Sequence, residues 1–322
     1  MSAKEELLGL LEASRGSWVS GEEIAARLGV SRAAVWKAVD ALRRDGCEIA
    51  AAPRRGYALA PDSDRLSAAG TRRLLAPGTD LRLEVLPSVT STNALVRARA
   101  DEPEGLVIAA EEQTQGVGRR GRSFYSPAGG GLYFSVLLKP QPGTLPAPLL
   151  TAAAAVAVCR AAARVTGRTP GIKWVNDLWL DGKKVCGILT QGSLSMENSG
   201  FEDVVVGIGI NVTAPPGGFP PALAGVAGAL CAQPRGGLKN ALLAAALEEF
   251  WALAHSGDGA ALAAEYRRRS ILPGRRIAVL RGEEALPATA LDVDEDCHLR
   301  VRYDDGREET LLAGEVSVRP DE

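Results

Sequence analysis

Residues 113–122 have the sequence QTQGVGRRGR, and SFYSP follows directly at 123–127. The glycines match G-x-G-x-x-G, a pattern that binds dinucleotides where it joins a strand to a helix. Here a predicted strand at 105–112 precedes the loop, but a second predicted strand at 132–139 follows it. No Asp or Glu lies within 123–150 to bind a ribose. The sequence therefore argues against a dinucleotide-binding fold.

The same loop contains three arginines, Arg119, Arg120 and Arg122. Guanidinium groups bind phosphates and carboxylates through paired hydrogen bonds. The glycines allow the backbone to approach a ligand and to become ordered around it. We therefore predict an anion-binding loop; the alternative is a mobile surface loop with solvated charges.

Further motifs surround this loop in the chain. TSTN at 90–93 opens a predicted helix, whose first turn offers hydroxyl and backbone N–H groups. KWVND at 173–177 ends a strand, and KVCGIL at 184–189 starts another after Asp181-Gly182, a typical two-residue hairpin turn. GIGIN at 207–211 follows a strand. The pattern is mixed α/β, with predicted strands at 81–86, 105–112, 132–139, 171–175, 184–192 and 203–212, and helices at 67–75, 91–100, 147–166, 238–254 and 258–269.

Together and in this order, the motifs resemble the signatures of the biotin–protein ligases: Ser-Thr-Asn, G-R-G-R-x-G-R, K-W-P-N-D, K-x-x-G-I-L and G-I-G-I-N. With the N-terminal region described below, the resemblance extends over essentially the whole chain, to the bifunctional bacterial ligases that also repress biotin synthesis. It implies a central domain like that of class II aminoacyl-tRNA synthetases. It also implies formation of biotinyl-5′-AMP and pyrophosphate from biotin and ATP, and transfer of biotin to a lysine of the biotin carboxyl carrier protein of acetyl-CoA carboxylase.

The resemblance also implies roles for the matched residues. The chemistry brings a carboxylate and a phosphate together, so cations must screen their repulsion. ATP and Mg²⁺ are the implied cofactors, without a dedicated protein metal site. The implied residues are Lys184, Arg119 and Asp177 for catalysis; Ser91, Thr92, Asn93, Gln113, Gly116, Arg119, Lys184 and Gly187 for biotin; and Arg120, Arg122, Phe124, Asn176 and Asn211 for ATP.

Three positions depart from the family pattern. Val117 stands where the loop usually has arginine, Val175 replaces the usual proline, and Phe124 stands where tryptophan is common. These changes concern ligand retention more than the reaction. Three alternatives stay open: a ligand-sensing repressor without ligase activity, a lipoate or octanoate ligase, and a ligase without repressor function.

The first 60 residues predict a winged helix-turn-helix. Three amphipathic helices and a hairpin follow one another, with Gly29 as a helix end and Ser31 as a helix cap. Lys and Arg number nine against eight Asp and Glu, so positive charge is local. We predict binding to operator DNA as a ligand-promoted homodimer; protein contact is the alternative. The predicted DNA-binding residues are Ser31, Arg32, Lys37, Arg54 and Arg55, whereas Trp36, Trp179 and Trp251 are expected to be core or half-buried.

The remaining features are consistent with this organisation. Short alternating strands after residue 273 predict a small SH3-like β-barrel, giving domains at 1–62, 65–271 and 273–322.

The two histidines, His255 and His298, make a Ser-His-Asp triad or a histidine zinc site improbable. The net charge of −2 excludes general polyanion binding. Five scattered cysteines and the lack of a predicted membrane span favour the cytoplasm, with the apolar run at 151–159 predicted as a buried helix.

Overall fold

A computed structural model describes residues 3–141, 143–194, 201–282 and 284–318. It has an N-terminal helical part with a hairpin, a central mixed sheet and a C-terminal antiparallel sheet, as predicted.

The N-terminal part contains α1 (Ala3–Ala13), α2 (Gly21–Leu28), α3 (Arg32–Arg44), β1 (Ile49–Ala52) and β2 (Gly56–Leu59). The Ser31 side chain accepts a hydrogen bond from the Ala34 N–H and begins α3, while Gly29 ends α2 in the left-handed conformation. Both caps match the predictions. One side of α3 contributes Val35, Val39 and Leu42 to a small core of its own.

The central part is built on seven strands in the order β3-β4-β5-β9-β8-β7-β6. Among these seven described strands, the β3–β4 pair alone is parallel. In chain order its elements are α4 (Ala68–Arg72), β3 (Arg82–Leu86), α5 (Thr92–Arg97), β4 (Leu106–Ala110), β5 (Gly131–Leu138), α6 (Ala147–Thr166), β6 (Gly171–Lys173), β7 (Asp177–Leu180), β8 (Lys183–Leu194), β9 (Phe201–Asn211), α7 (Pro221–Ala224), α8 (Leu238–Ala254) and α9 (Gly259–Arg269).

The two faces of this sheet are covered differently. One face packs against α6, which in turn packs against α8, and β9 contributes Val204, Val206 and Ile208 to this main core. The intervening side chains point to the other face, where Val205 packs with α5. Because α5 is short, it leaves part of this second face uncovered.

Helix α6 is long and apolar enough to cross a membrane by length and composition. However, 67% of its most apolar window is buried inside the protein. Its small side chains pack against α8. It is therefore the core helix that the sequence predicted.

The C-terminal part contains β10 (Arg276–Arg281), β11 (Glu284–Val293), β12 (Leu299–Tyr303), β13 (Glu308–Leu311) and β14 (Glu315–Val318). All neighbouring strands are antiparallel, in the order β13-β12-β11-β10-β14. Its core is continuous with that of the central part. The Trp174 indole N–H donates to the Cys297 carbonyl at 2.9 Å, so the two parts also share a buried hydrogen bond.

Several details differ from the sequence predictions. Strand β7 and the single turn α7 were not predicted, because neither segment is long enough for a clear period. The helices predicted at 67–75 and 91–100 end earlier, at Arg72 and Arg97, and continue as turns. The prediction for Trp36 was wrong: its side chain is 59% exposed, because the buried side of α3 is filled by the valines and leucine. Trp179 and Trp251 are half-buried, as expected.

A charged network joins the outer sides of α6, α8 and α9. The Glu265 carboxylate accepts hydrogen bonds from Arg160 and Arg269, and Arg160 also donates to Glu249. Chiefly the hydrogen bond from Arg160, aided by Arg269, lowers the pKa of Glu265 to about 2. The ionised carboxylate therefore stabilises the packing of these helices.

We expect Glu265→Gln to lower the free energy of unfolding by about 2 kcal/mol at neutral pH, the usual effect of losing charged hydrogen bonds. Because the folded pKa lies below the ordinary 4.5, the stabilisation is complete above that pH and disappears as pH falls towards 2. Urea unfolding at neutral pH and near pH 2 measures the difference in the free energy of unfolding between the variant and the wild type. Glu295→Gln, on an exposed turn, is the control. An equal effect of Glu265→Gln at both pH values contradicts the prediction.

Candidate active site

Glycines form the floor of a pocket on the uncovered face of the central sheet. In strand β9, Gly207 and Gly209 replace side chains on that face, and Gly187 of β8 pairs with Gly209. A Cβ atom at Gly207 would lie 1.8 Å from the Asn93 Oδ1, and one at Gly209 would lie 2.4 Å from the Phe124 ring. The glycines therefore allow Asn93 and Phe124 to lie directly against the sheet, where both line the pocket.

A buried polar network closes one end of the pocket. The Gln113 Oε1 accepts hydrogen bonds from the Thr92 N–H at 2.9 Å and the Thr92 hydroxyl at 3.1 Å. The Gln113 amide nitrogen donates to the Ser126 hydroxyl at 3.0 Å. Ser135, at the centre of β5, lies 2.7 Å from the Thr92 hydroxyl and 2.6 Å from Asn93 Oδ1. These contacts fix the orientation of the polar groups before any ligand arrives.

The start of α5 explains why TSTN provides this end. The Ser91 hydroxyl accepts a hydrogen bond from the Ala94 N–H at 3.4 Å, which caps the helix. Thr92 and Asn93 are then held at its first turn and are almost fully buried. The Asn93 amide also donates to Gln191 at 3.1 Å.

The glycine-rich loop is folded over the other side of the pocket. The Gly118 N–H donates to the Arg122 carbonyl at 2.6 Å, and the segment Arg119–Gly121 forms one 3₁₀ turn. Arg120 adopts a left-handed φ of 55° within it. After the loop, the Phe124 ring lies on the glycine floor and makes an edge contact with Tyr133.

Cations and one carboxylate meet beside this floor. The Lys184 Nζ lies 2.7 Å from the Asp177 Oδ1 and 5.8 Å from the centre of the Phe124 ring. Arg119 donates to the Asn176 Oδ1 at 3.2 Å. Burial, followed by repulsion from Arg120, lowers the pKa of Arg119. The arrangement concentrates positive charge in a partly desolvated place, where it attracts anions strongly.

The C-terminal sheet contributes a carboxylate that the sequence analysis missed. Glu315, the first residue of β14, forms ion pairs with Arg122 and, at 3.7 Å, with Arg120. Nothing in its local sequence indicates a site, because its partners lie almost two hundred residues earlier. Ser126 and Ser135 were also missed. Ser126 lies between the glycine-rich loop and the strand predicted at 132–139, and Ser135 lies inside that strand, where the local sequence does not mark a site.

The pocket brings together most of the predicted residues. Gly116 and Asn211 do not line it: Gly116 lies beneath the Phe124 carbonyl, and the Asn211 amide donates to the Gly228 carbonyl at 2.9 Å. The predicted residues that line it are Ser91, Thr92, Asn93, Gln113, Arg119, Arg120, Arg122, Phe124, Asn176, Asp177, Lys184 and Gly187.

The predicted DNA-binding residues lie on a separate surface of the N-terminal part. Arg32 and Arg54 line a groove between the start of α3 and the β1–β2 hairpin. Lys37 is exposed on α3, and Arg55 stacks over the Trp18 ring with 4.5 Å to its centre. Ser31 serves as the helix cap.

Comparison with known families assigns each part of the chain. Residues 4–58 match the helix-turn-helix model "HTH domain", and residues 85–211 match the "Biotin/lipoate A/B protein ligase family". Residues 274–319 match the "Biotin protein ligase C terminal domain". The three matches follow the three parts of the fold.

Similar proteins and structures agree with these matches. The "Bifunctional ligase/repressor BirA" of Bacillus subtilis is 36% identical over 70% of this chain and 70% of its own length. The "Biotin--[acetyl-CoA-carboxylase] ligase" of Mycobacterium tuberculosis is 31% identical over 76% of this chain and 92% of its own. The structure of the biotin protein ligase from Aquifex aeolicus in complex with biotin and ATP aligns with a TM-score of 0.61 and 25% identity, covering 74% of this chain and 99% of that one. The chain therefore belongs to the biotin protein ligase family and has the domain content of its bifunctional ligase/repressor members.

Proposed function

We propose that this chain activates biotin with ATP, transfers it to a lysine of a carrier protein, and represses transcription through its N-terminal part. One observation supports this most directly: a rigid polar end and a cationic cluster face the same glycine-floored pocket. An acid with a polar head and a remote carboxylate fits this arrangement, with the carboxylate beside Lys184 and Arg119.

In the proposed first step, a biotin carboxylate oxygen attacks the α-phosphorus of ATP, and the bond to pyrophosphate breaks. Thr92 and Gln113 bind the ureido head, so the carboxylate points to Lys184 and Arg119. Arg120 and Arg122 release Glu315 and bind the phosphates instead. Phe124 packs near the adenine. Cations that are positioned beforehand stabilise the charge of the transition state without reorganisation.

In the second step, the lysine amine of the acceptor attacks the activated carbonyl and AMP leaves. No enzyme nucleophile is required. The glycine-rich loop covers the mixed anhydride and excludes water until the acceptor arrives. The proposed acceptor is the biotin carboxyl carrier protein of acetyl-CoA carboxylase, and the proposed location is the cytoplasm.

The described residues suit Mg²⁺ only in partnership with ATP. They include no group of three His, Cys, Asp or Glu side chains that could hold a metal by themselves. Asp177 Oδ1 is buried and lacks an aligned hydrogen-bond donor within the described part of the chain, although Lys184 is close. An oxygen of this kind suits Mg²⁺, which commonly uses one or two carboxylates plus phosphates. When bound, Mg²⁺ would neutralise phosphate charge.

The polar end favours biotin over lipoate or octanoate. Beyond its hydrogen bond to Ser126, the Gln113 amide nitrogen has a second N–H, and an acid without a ureido head leaves that donor unpaired. The cationic cluster also argues against a repressor that senses biotin alone, because binding without phosphate chemistry does not need Lys184, Arg119 and the loop arginines together.

We propose that the adenylate promotes a homodimer that binds operator DNA. Arg32, Lys37 and Arg54 have no ion-pair or hydrogen-bond partner among the described residues, so their charges are available to phosphates. If adenylate changes neither dimerisation nor operator affinity, the coupling of ligand to repression is wrong.

Lys184→Gln tests the enzymatic proposal. We expect biotin-dependent exchange of labelled pyrophosphate into ATP to fall at least about 100-fold, because a charge at the reacting groups is lost. Lys183→Gln is the matched control, since Lys183 is the exposed neighbour on the same strand. No exchange by well-folded wild-type protein with biotin or with lipoate would show that the chain is not a ligase of this class.

Val117→Arg tests the departure in the loop. Val117 lines the pocket with its side chain 46% exposed, so a longer cationic side chain has room to contact the adenylate. We expect release of labelled biotinyl-AMP to slow by about tenfold, the effect of one additional charged hydrogen bond. Leu312→Arg adds the same charge to an exposed position of the C-terminal part. Equal release rates for the variant and wild type would contradict the prediction.

Lys37→Gln tests the electrostatic contribution to DNA binding. We expect weaker binding to every duplex. The slope of log K against the logarithm of the salt concentration should decrease in magnitude by about one, because one phosphate contact is lost. Fluorescence anisotropy at several salt concentrations measures both. Arg27→Gln removes a cation that is already paired with Glu23 at 2.7 Å and serves as the control. A salt slope that Lys37→Gln leaves unchanged speaks against this contact.

A further inference from the structure

Helix α3 presents one large apolar side chain to solvent. Trp36 is 59% exposed, whereas Val35 and Val39 on the core-facing side of the same helix are each 1% exposed. Its indole N–H has no hydrogen-bond partner among the described residues. Trp36 therefore contributes little to the core of the N-terminal part, although its exposure to water is unfavourable.

The surroundings of Trp36 are those of a nucleic-acid contact. Arg32 precedes it by one helical turn on the same side, and Lys37 follows it directly; both lack a carboxylate partner in the described structure. Asp40, one turn later, is neutralised by Arg44 at 3.3 Å. The surface around the indole thus has a net positive charge, complementary to phosphates.

The position of Trp36 in the helix also suits contact with bases. It is the fifth residue of α3, which begins at Arg32. Recognition helices place their N-terminal residues against base edges in the major groove. Arg32 and Arg54 line a groove between α3 and the hairpin, and this groove can then accommodate the neighbouring sugar-phosphate backbone of the DNA.

The chemistry of indole restricts what Trp36 can recognise. Indole has one N–H donor, no acceptor and a large apolar surface. Among the groups on the major-groove edges, the 5-methyl of thymine is the apolar one. We propose that Trp36 determines sequence specificity by packing on a thymine methyl group of the operator. This inference rests on the proposed binding of DNA by the N-terminal part.

The test uses the full chain with biotin and ATP, and a duplex enriched from a random pool by binding. Each thymine is replaced singly by deoxyuridine, which removes only the methyl group, and affinity is measured by fluorescence anisotropy. For the wild type we expect one or two replacements to weaken binding about fourfold, the factor for one buried methyl group.

The variants identify the residue responsible. Trp36→Ala is expected to bind the enriched duplex more weakly and to lose the penalty for those replacements, because the two changes remove the same contact. Trp36→Phe retains an apolar ring and is expected to retain the penalty. Lys37→Gln weakens enriched and unselected duplexes alike and keeps the penalty. Leu312→Ala, an exposed apolar residue of the C-terminal part, changes nothing.

Each contrary result is distinguishable. If Trp36→Ala retains the preference for the enriched duplex and the full penalty, the inference is wrong while DNA binding stands. If Trp36→Ala instead alters the sedimentation of the protein but changes neither the duplex preference nor the deoxyuridine penalty, Trp36 is a protein contact and the inference is also wrong. If no duplex is enriched by well-folded protein, the proposal of DNA binding fails, and the inference fails with it.

Discussion

The repulsion between charged groups is the constraint on which this active site depends. Two anions must approach each other in the proposed reaction, so several cations have to be held close together before either anion binds. Holding cations together in a buried place is itself unfavourable: burial first, and repulsion from Arg120 second, lower the pKa of Arg119. The protein offsets this repulsion with carboxylates: Asp177 beside Lys184, and Glu315 beside the loop arginines. Because Glu315 lies in β14, the C-terminal sheet is part of the electrostatic balance of the pocket.

The same need for fixed geometry explains how the N-terminal part is attached. Glu111 follows β4, two residues before Gln113, and accepts a hydrogen bond from the Leu66 N–H at 2.9 Å. It also pairs with Lys239, which is 4% exposed, while the Lys239 N–H donates to Asp64. The segment that connects the N-terminal part is thus bonded to the strand that leads into the ligand pocket. Buried polar networks of this kind are costly when incomplete, so they define one arrangement strongly.

Much of this structure could be predicted from the sequence, for identifiable physical reasons. Helices α6 and α8 have the predicted bounds because their apolar runs are delimited by proline or glycine: Pro146 and Gly167 flank α6, and Gly237 precedes α8. Asp181 and Gly182 both adopt the positive φ angles that a tight hairpin turn requires. The pocket motifs were found because each lies where a strand or helix begins or ends, and such positions are marked in the sequence by glycine, serine and aspartate. By contrast, Glu315 and Ser135 depend on contacts between distant elements, which a local pattern does not contain. The exposure of Trp36 depends on which side of α3 faces the core, and residue type alone gave the wrong answer.

The departures of the site from the family pattern lie outside the glycine floor and the polar end of the pocket. The floor and the polar end are held by sheet pairing and buried hydrogen bonds, and there every motif residue is present. Two of the three changes occur at Val117, in the loop, and at Phe124, which rests on the floor; the third, Val175, lies in the turn between β6 and β7. Phe124 can occupy its place only because Gly187 and Gly209 leave room for a ring, so a smaller aromatic side chain loses contact area without disturbing the sheet. We expect substitution at such positions to alter how long a ligand stays bound, because the cations beside the reacting groups, Lys184 and Arg119, are unchanged. A ligase that must first retain an activated intermediate and then release it to an acceptor has reason to vary its loop and to preserve its floor.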